Sequence, residues 1–510
     1  MLTPFTLIAI GIVATAKPLP QRINWQPCPE LHSYISELLR LNVTAFDCGH
    51  ITVPLDYTDS KSPPLELDLF KVNATQEPVL GSVLMNFGGP GATGVGNLAV
   101  LAPDLAANIG PQWDLVSWDP RGTGKTIPFD CGIDDPTLTP TVDHIKRESP
   151  LLPSSNLTEY YLNYGWDLAG VIADTCYENM KEIGQYIGTA FTARDMMEIV
   201  DALGEDGFLR YYGLSYGTVL GSYAAAMFPE RIERMLLDST PNPHDYQAGH
   251  WGDWIQDSEK ALSAFLSECL ANNDSCPLAQ YTNASTTDHM LVPLRAFFEP
   301  LAANASSDPT AWSQYRGLKA LVLAHLYDPL AWLSLSMYLT ELLNGTLSEP
   351  FPNPIAPYNE GAVWAGIGIR ASDSLWRPAD KLSYLPQVLE QEQTGSFKAE
   401  YVHLWTSARW KMDAKEQYSG NFTAKTRRPI LYVNGEYDPV TPLASAFKSS
   451  AGFEGSFVLP HAGYGHGLTV DPSECVTRHV RAYFEDASLP LTGTRCRPDG
   501  GPWENFDDGE

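Results

Sequence analysis

The fold turns on the stretch Leu209-Arg-Tyr-Tyr-Gly-Leu-Ser-Tyr-Gly-Thr-Val-Leu-Gly-Ser-Tyr-Ala-Ala-Ala226. Within it, Gly213-Leu-Ser-Tyr-Gly217 fits G-x-S-x-G, the pattern of a nucleophile elbow. A short apolar and aromatic run precedes the serine, and a small-residue, helix-compatible run follows it, so Ser215 falls on a strand-to-helix turn. A serine hydroxyl is a poor nucleophile; the fold must lift it clear of the sheet and set a base beside it. Glycines at 213 and 217 remove the side chains that would collide in so tight a turn. The backbone N–H of Tyr216, at the start of the helix, then faces a developing oxyanion. The same five letters also spell an ordinary glycine turn, so the rest of the chain decides between the two.

Upstream, residues 30–41 carry a helical apolar face, and 48–57 and 65–72 read as strands, with Pro54 favouring an edge position. Ser82-Val-Leu-Met-Asn-Phe87 is an apolar strand running into Gly88-Gly-Pro-Gly-Ala-Thr-Gly94. That loop has the composition of an oxyanion loop, with Gly88 or Gly89 offering a bare N–H. Gly89, Gly91 and Gly94 also satisfy G-x-G-x-x-G, with Asp119 ending the next strand, as in a dinucleotide site. Pro90 in the middle of the turn opposes that reading. The segment Gly124-Lys-Thr126 lacks the earlier glycine of a phosphate loop, because Asp119 stands in its place. Asp119 and Arg121 instead read as anchors of their loop, by a salt bridge or by backbone hydrogen bonds. Strands at about 82–87, 113–118, 208–213 and 234–238 alternate with helices, which predicts a mostly parallel sheet.

Beyond that point the pattern changes. Residues 241–426 contain helical segments (253–271, 291–303, 312–325 and 330–343) and no clean strand, so they read as a helical cap inserted into the sheet domain. Strand character returns at 429–434 and 456–459. The first of these leads into Asn434-Gly-Glu-Tyr-Asp-Pro-Val-Thr-Pro442 and the second into His461-Ala-Gly-Tyr-Gly-His-Gly467. Asp438 and His466 thus follow the C-terminal ends of strands, where open α/β sheets build their sites. The order Ser215, Asp438, His466 is that of α/β-hydrolases. His466 would take and return the Ser215 proton, while Asp438 fixes its tautomer. Glu436 and His461 stand as the alternatives for acid and base. The predicted layout is a leader over 1–16, an α/β core over 17–240, the cap over 241–426 and the rest of the core over 427–510.

Composition bounds the setting. The chain has 510 residues and a formal net charge of −28, which opposes binding to nucleic acid or anionic membranes. An apolar run over 5–13 followed by Ala14-Thr-Ala16 reads as a secretory signal peptide. Eight cysteines form an even set without paired metal-ligand spacing, which favours disulfides over a metal site, and sequential pairing (28–48, 131–176, 269–276, 475–496) closes local loops. Glycosylation sequons begin at Asn42, Asn73, Asn156, Asn273, Asn283, Asn304, Asn344 and Asn421. All of this suits a secreted protein. The acidic tail 504–510 reads as disordered.

From residue 25 to about 496 the chain resembles secreted α/β-hydrolases of the tripeptidyl-aminopeptidase and prolyl-aminopeptidase group, which carry a TAP-like C-terminal region. The resemblance rests on Cys48-Gly49 with Val53-Pro-Leu-Asp-Tyr57, Asn86-Phe-Gly-Gly-Pro-Gly91, Trp118-Asp-Pro-Arg-Gly122, Tyr212-Gly-Leu-Ser-Tyr-Gly-Thr218, the Asp438 segment and Gly465-His-Gly467. It implies hydrolysis near a peptide N-terminus through an acyl-enzyme without metal or organic cofactor, and oxyanion donors at Gly88 or Gly89 and Tyr216. Similar chains often carry LDG where Asp238-Ser-Thr240 stands here. Two cap cysteines of similar chains correspond to Ala371 and Ser407, so one disulfide is missing. An aminopeptidase must hold a protonated α-amine, which calls for a cap carboxylate; Asp253, Asp257, Glu259 and Asp373 are the candidates. An esterase, lactonase or amidase acting on a small secreted metabolite would use the same triad with a different cap. A non-catalytic binding protein on this fold would be expected to have lost a triad member.

Overall fold

A computed structural model describes residues 21–39, 43–133, 150–346, 362–393 and 395–503. The leader, the Asn42 sequon and the acidic tail lie outside them. The strands are β1 (Gln26–Pro27), β2 (Asp47–Pro54), β3 (Pro64–Val72), β4 (Gly81–Asn86), β5 (Trp113–Trp118), β6 (Leu209–Leu214), β7 (Ile232–Asp238), β8 (Leu431–Tyr437) and β9 (Phe457–Tyr464). They form one sheet in the order β1-β2-β3-β5-β4-β6-β7-β8-β9. The pairs β1–β2, β2–β3 and β3–β5 are antiparallel, and every pair from β5–β4 onward is parallel. Pro54 ends β2 beyond the reach of the two-residue β1, so its missing N–H costs no ladder bond there.

The parallel strands read as continuous apolar runs because both faces of the sheet are covered. Alternate residues go to opposite sides. Val83, Met85, Leu115, Tyr212, Leu236 and Leu431 pack with the helices Gly94–Ile109 and Glu474–Asp486. Leu84, Val116, Tyr211, Leu237 and Tyr432 pack with Thr189–Leu203 and Tyr216–Met227. This second core continues without a break into the helical segment between β7 and β8 through Phe265, Trp312 and Trp332.

Among the described residues, that segment is built of helices and turns. Its principal helices are Ser258–Ala271, Thr287–Ala305, Pro309–Leu326, Trp332–Asn344, Ala362–Asp373 and Lys381–Gln391. The first begins at Ser258 rather than 253, because Trp251 and Ile255 take positive φ and break the helical path. Residues 150–180, on the N-terminal side of the expected boundary at 240, make contacts with the insert. Tyr160 stacks on Trp312 at 3.8 Å between ring centroids, Tyr161 packs edge-on against Trp405, and Ser155 N donates to Tyr315 Oη at 3.2 Å. These residues precede the elbow in the chain yet pack on the insert. Their aromatic face has no periodicity that would distinguish the two partners in sequence.

Of the two expected modes of anchoring, Asp119 and Arg121 both use backbone hydrogen bonds, and the salt bridge of Arg121 goes to a different acid. Arg121 forms a buried two-pronged ion pair with Asp195 of the helix Thr189–Leu203, at 2.7 and 2.9 Å, and donates to the carbonyls of Pro54 and Leu55. Tyr57 Oη completes the group by donating to Asp195 at 2.8 Å. Asp119 is spent on backbone instead, accepting from Gly94 N and Lys125 N. Thus the Val53–Tyr57 and Trp118–Gly122 motifs meet around one guanidinium. Four disulfides, Cys28–Cys48, Cys131–Cys176, Cys269–Cys276 and Cys475–Cys496, pin loops on both the sheet and the insert. No described helix is long and apolar enough to cross a membrane.

Candidate active site

Ser215 sits between β6 and the helix Tyr216–Met227 with φ 57° and ψ −123°. For a non-glycine residue this backbone costs on the order of 1–3 kcal/mol, and such strain concentrates at functional turns. The surroundings hold it in place. Ser215 N donates to Asp238 O at 3.0 Å, and Thr218 donates to Ser215 O through both N and Oγ1. A Cβ at position 217 would lie 2.5 Å from Asn86 O, so only glycine lets this helix close against the end of β4.

The loop after β4 reaches the same point. Gly88 takes φ +87°, and a Cβ there would lie 2.6 Å from Leu214 O and 2.9 Å from Ser215 Cβ. Gly88 N is already committed, donating to Asn86 Oδ1 at 3.1 Å. Gly89 N has no such acceptor among the described residues, and Tyr216, as the first residue of its helix, has no intrahelical acceptor for its N–H. Of the expected oxyanion donors, Gly89 and Tyr216 are therefore the two with N–H groups left to offer.

Asp438, fully buried in the turn after β8, is held by several donors. Its Oδ1 accepts from Val440 N and Thr441 N at 2.9 Å each, and its Oδ2 accepts from Thr441 Oγ1 at 2.7 Å. His466, in the loop after β9, places Nδ1 2.9 Å from Oδ2 and 3.1 Å from Oδ1. With Nδ1–H donated to the carboxylate, Nε2 keeps the lone pair that a general base needs. Burial pulls this imidazole down, but the Asp438 charge, its hydrogen bond and the Asp238 charge outweigh it, and the net shift is upward. The insert contacts the same loop, since Tyr327 O accepts from His466 N at 2.7 Å and the two rings lie 5.1 Å apart. Ser215 Oγ and the imidazole form no hydrogen bond in this structure. Catalytic contacts of this kind commonly tighten only in the substrate complex.

The alternatives are placed elsewhere. Glu436 is paired with Arg495 at 2.5 and 2.7 Å. His461 lies within β9, bridged to Cys496, and burial pushes it down to about 4.

The four cap acids are also separated. Asp373 is fully buried and accepts from Thr189 N, Thr189 Oγ1 and Tyr246 Oη, and Thr189 Oγ1 in turn contacts Tyr216 Oη at 2.6 Å. Burial pushes its carboxyl up to about 6. It is spent tying the insert to the core. Glu259 is buried and accepts from the backbone of Ser396 and Leu151. Asp253 is bound by Lys448 and Asn242. Asp257 differs: it lines a cleft of about 720 Å³ with Lys260, Glu268, Tyr437 and Tyr464. Among the described residues its one ionic partner, Lys260, stands 3.7 Å away. Burial raises its carboxyl, and the Asp438 charge adds to the rise.

Two contributors escaped the sequence reading. Thr441 was legible as a hydroxyl three residues after an aspartate, the spacing of a self-bonded turn. Asp238 gave no local signal, because its contacts are all made across the sheet.

A mostly parallel sheet with the nucleophile turn after β6 and Asp438 and His466 after β8 and β9 defines an α/β-hydrolase. Residues 397–496 match the family model described as TAP-like protein. Over nearly its whole length the chain is 27% identical to a tripeptidyl aminopeptidase of Streptomyces coelicolor, covering 96% of this chain and 88% of that one. It is 26% identical to the serine protease Hip1 of Mycobacterium bovis, covering 95% and 93%. It is also 27% identical to carboxylesterase B of Mycobacterium tuberculosis, covering 94% and 90%. Among solved structures, a serine hydrolase from Cycloclasticus zankles aligns over 86% of this chain and 98% of that one, with 11% identity and a TM-score of 0.34.

Proposed function

We propose that this protein is a secreted serine peptidase, an aminopeptidase that releases short peptides or residues from free N-termini through an acyl-enzyme. The observation that carries the chemistry is the His466–Asp438 pair at the end of β9 and β8, set at the same sheet edge as the strained Ser215 turn. His466 Nε2 removes the Ser215 proton as Oγ attacks the scissile carbonyl, then delivers it to the leaving amine. Gly89 N and Tyr216 N hold the oxyanion in the tetrahedral intermediate. Water, activated by the same imidazole, releases the acyl group. Residues 397–496 and the relatives named tripeptidyl aminopeptidase and serine protease support a peptide substrate. Asp257 is the cap acid left for a substrate ammonium. Four disulfides, and exposed asparagines at all seven sequons within the described residues, support secretion and glycosylation.

The carboxylesterase relative favours a second reading, an esterase on a small metabolite with the same triad. Protein secreted from a eukaryotic host, beside Ser215→Ala, separates the two on aminoacyl and tripeptidyl amides, free and N-blocked, and on aryl esters. Cleavage of free but not blocked amides, absent from the variant, supports the exopeptidase. Ester turnover without amide cleavage supports the esterase.

A further inference from the structure

Asp238 ends β7, one strand over from the elbow, and is fully buried. Its two ends make different contacts. The main-chain oxygen accepts from Ser215 N at 3.0 Å. The carboxylate Oδ2 accepts from Leu468 N, two residues after His466, at 2.9 Å, and from Tyr212 Oη of β6 at 2.9 Å. The next residue, Ser239, receives Gly467 N on its Oγ at 2.9 Å. One short segment therefore grips the nucleophile turn on one side and the imidazole loop on the other. No Lys or Arg among the described residues pairs with this buried carboxylate, and His466 is the one potentially cationic group acting on it.

We propose that Asp238 is a positioning residue of the active site, a second carboxylate that fixes the separation of Ser215 and His466 and sets its negative charge beside the imidazole. Proton transfer from Ser215 creates an imidazolium in a water-poor site, and a fixed anion nearby favours that state. The groups facing His466 are Asp438 and Thr441 from the turn after β8, Asp238 from β7 and Tyr327 from the insert. Asp238 itself faces Tyr212, His466 and Asp438, and Asp438 faces Asp257 with its Lys260 partner. Burial pushes the Asp238 carboxyl up to about 6, against the hydrogen bonds and the imidazole that hold it down. The imidazole lowers the Asp238 carboxyl and the Asp238 charge raises the imidazole, so each bears on the other's protonation.

The inference rests on the triad reading above, so its test reads the nucleophile without assuming a substrate. The full-length protein is treated with a fluorophosphonate, and the second-order labelling rate is followed against pH for wild type, Ser215→Ala and Asp238→Asn. Both hydrogen bonds converge on Oδ2, and an amide oxygen in that place accepts them equally, so Asp238→Asn keeps the tie while removing the charge. The expected result is an acid limb displaced by roughly one pH unit to lower pH, because an imidazole without its second anion gives up its proton more readily. Tyr212→Phe, which is isosteric and withdraws one donor from Oδ2, moves the limb the same way by a smaller step. It also serves if Asp238→Asn does not fold. An unmoved acid limb in the variants that fold, with wild type labelled and Ser215→Ala not, overturns the inference alone. Failure of wild type to label, or undiminished labelling of Ser215→Ala, contradicts the triad reading and the inference with it.

Discussion

Buried carboxylates do opposite work at the sheet edge and in the helical insert. Asp438 and Asp238, at the ends of β8 and β7, bond to local donors but also face His466, a group that gains and loses a proton in the proposed cycle. Asp373 and Glu259, in the insert, are also buried and bonded, and Asp253 there is partly buried, yet the partners of these three are backbone amides, hydroxyls, a side-chain amide and a lysine, with no imidazole among them. Burial of an acid, and even a raised pKa, is common to both regions. What separates a reactive carboxylate from a structural one is whether a group facing it titrates.

The sharpest break in that comparison concerns activity. Ser215→Ala is expected to cost on the order of 10⁶ in kcat, and Asp438→Asn about 10⁴ through the wrong imidazole tautomer, measured on whichever amide or ester the screen identifies. Folding is expected to be retained. Substitution of Asp373 acts in the opposite manner, on stability.

The next largest effect contrasts a disulfide that joins a core loop to a helix packed on the insert with one that lies inside the insert. Cys131–Cys176 spans 45 residues and joins the loop after β5 to the helix Trp166–Met180, while Cys269–Cys276 spans 7 within the insert. Loop-closure entropy gives about 4 kcal/mol for the first and about 2 for the second. Urea denaturation of the paired Cys→Ser variants checks the order, and equal losses contradict it.

Asp373→Asn separates charge from structure. A carboxyl held at about 6 when folded, against 3.8 when free, contributes stability that is full below the free value and lost as pH rises through 6. Asparagine does not ionise, so its variant gains relative to wild type between pH 4.5 and pH 7.5, by about 2 kcal/mol. Denaturation at the two pH values reads this, and a pH-independent difference contradicts it. The smallest effect is at Glu436: Glu436→Gln removes an outer ion pair with Arg495 and leaves activity unchanged, whereas a large loss would make Glu436 the acid.

Much of the sheet edge was legible because its signals are local. A strand followed by glycine, a strand followed by Asn434-Gly-Glu-Tyr-Asp438, and a strand followed by a glycine-flanked histidine each declare a strand end within about ten residues. Glu436 and His461 stay open as alternatives in the sequence, because each lies within a few residues of the same strand ends as Asp438 and His466. The insert was legible only as helical. Its acids are Asp and Glu among sixty-one in the chain, and nothing in their spacing says which meets a backbone amide and which meets a cleft. Asp195 was hidden for the same reason, as one polar residue on an amphipathic helix until Arg121 arrives from a loop 74 residues away. Residues 150–180 were illegible in another way, since they precede the elbow in the chain yet Tyr160 and Tyr161 stack on aromatic residues of the insert.

The most direct test of the account is the site of covalent capture. Wild-type protein is labelled with a fluorophosphonate near neutral pH, digested and sequenced by mass spectrometry. The account predicts a single adduct on Ser215, lost when His466 is replaced by alanine. An adduct on another residue, or labelling of Ser215 that persists without His466, would contradict it.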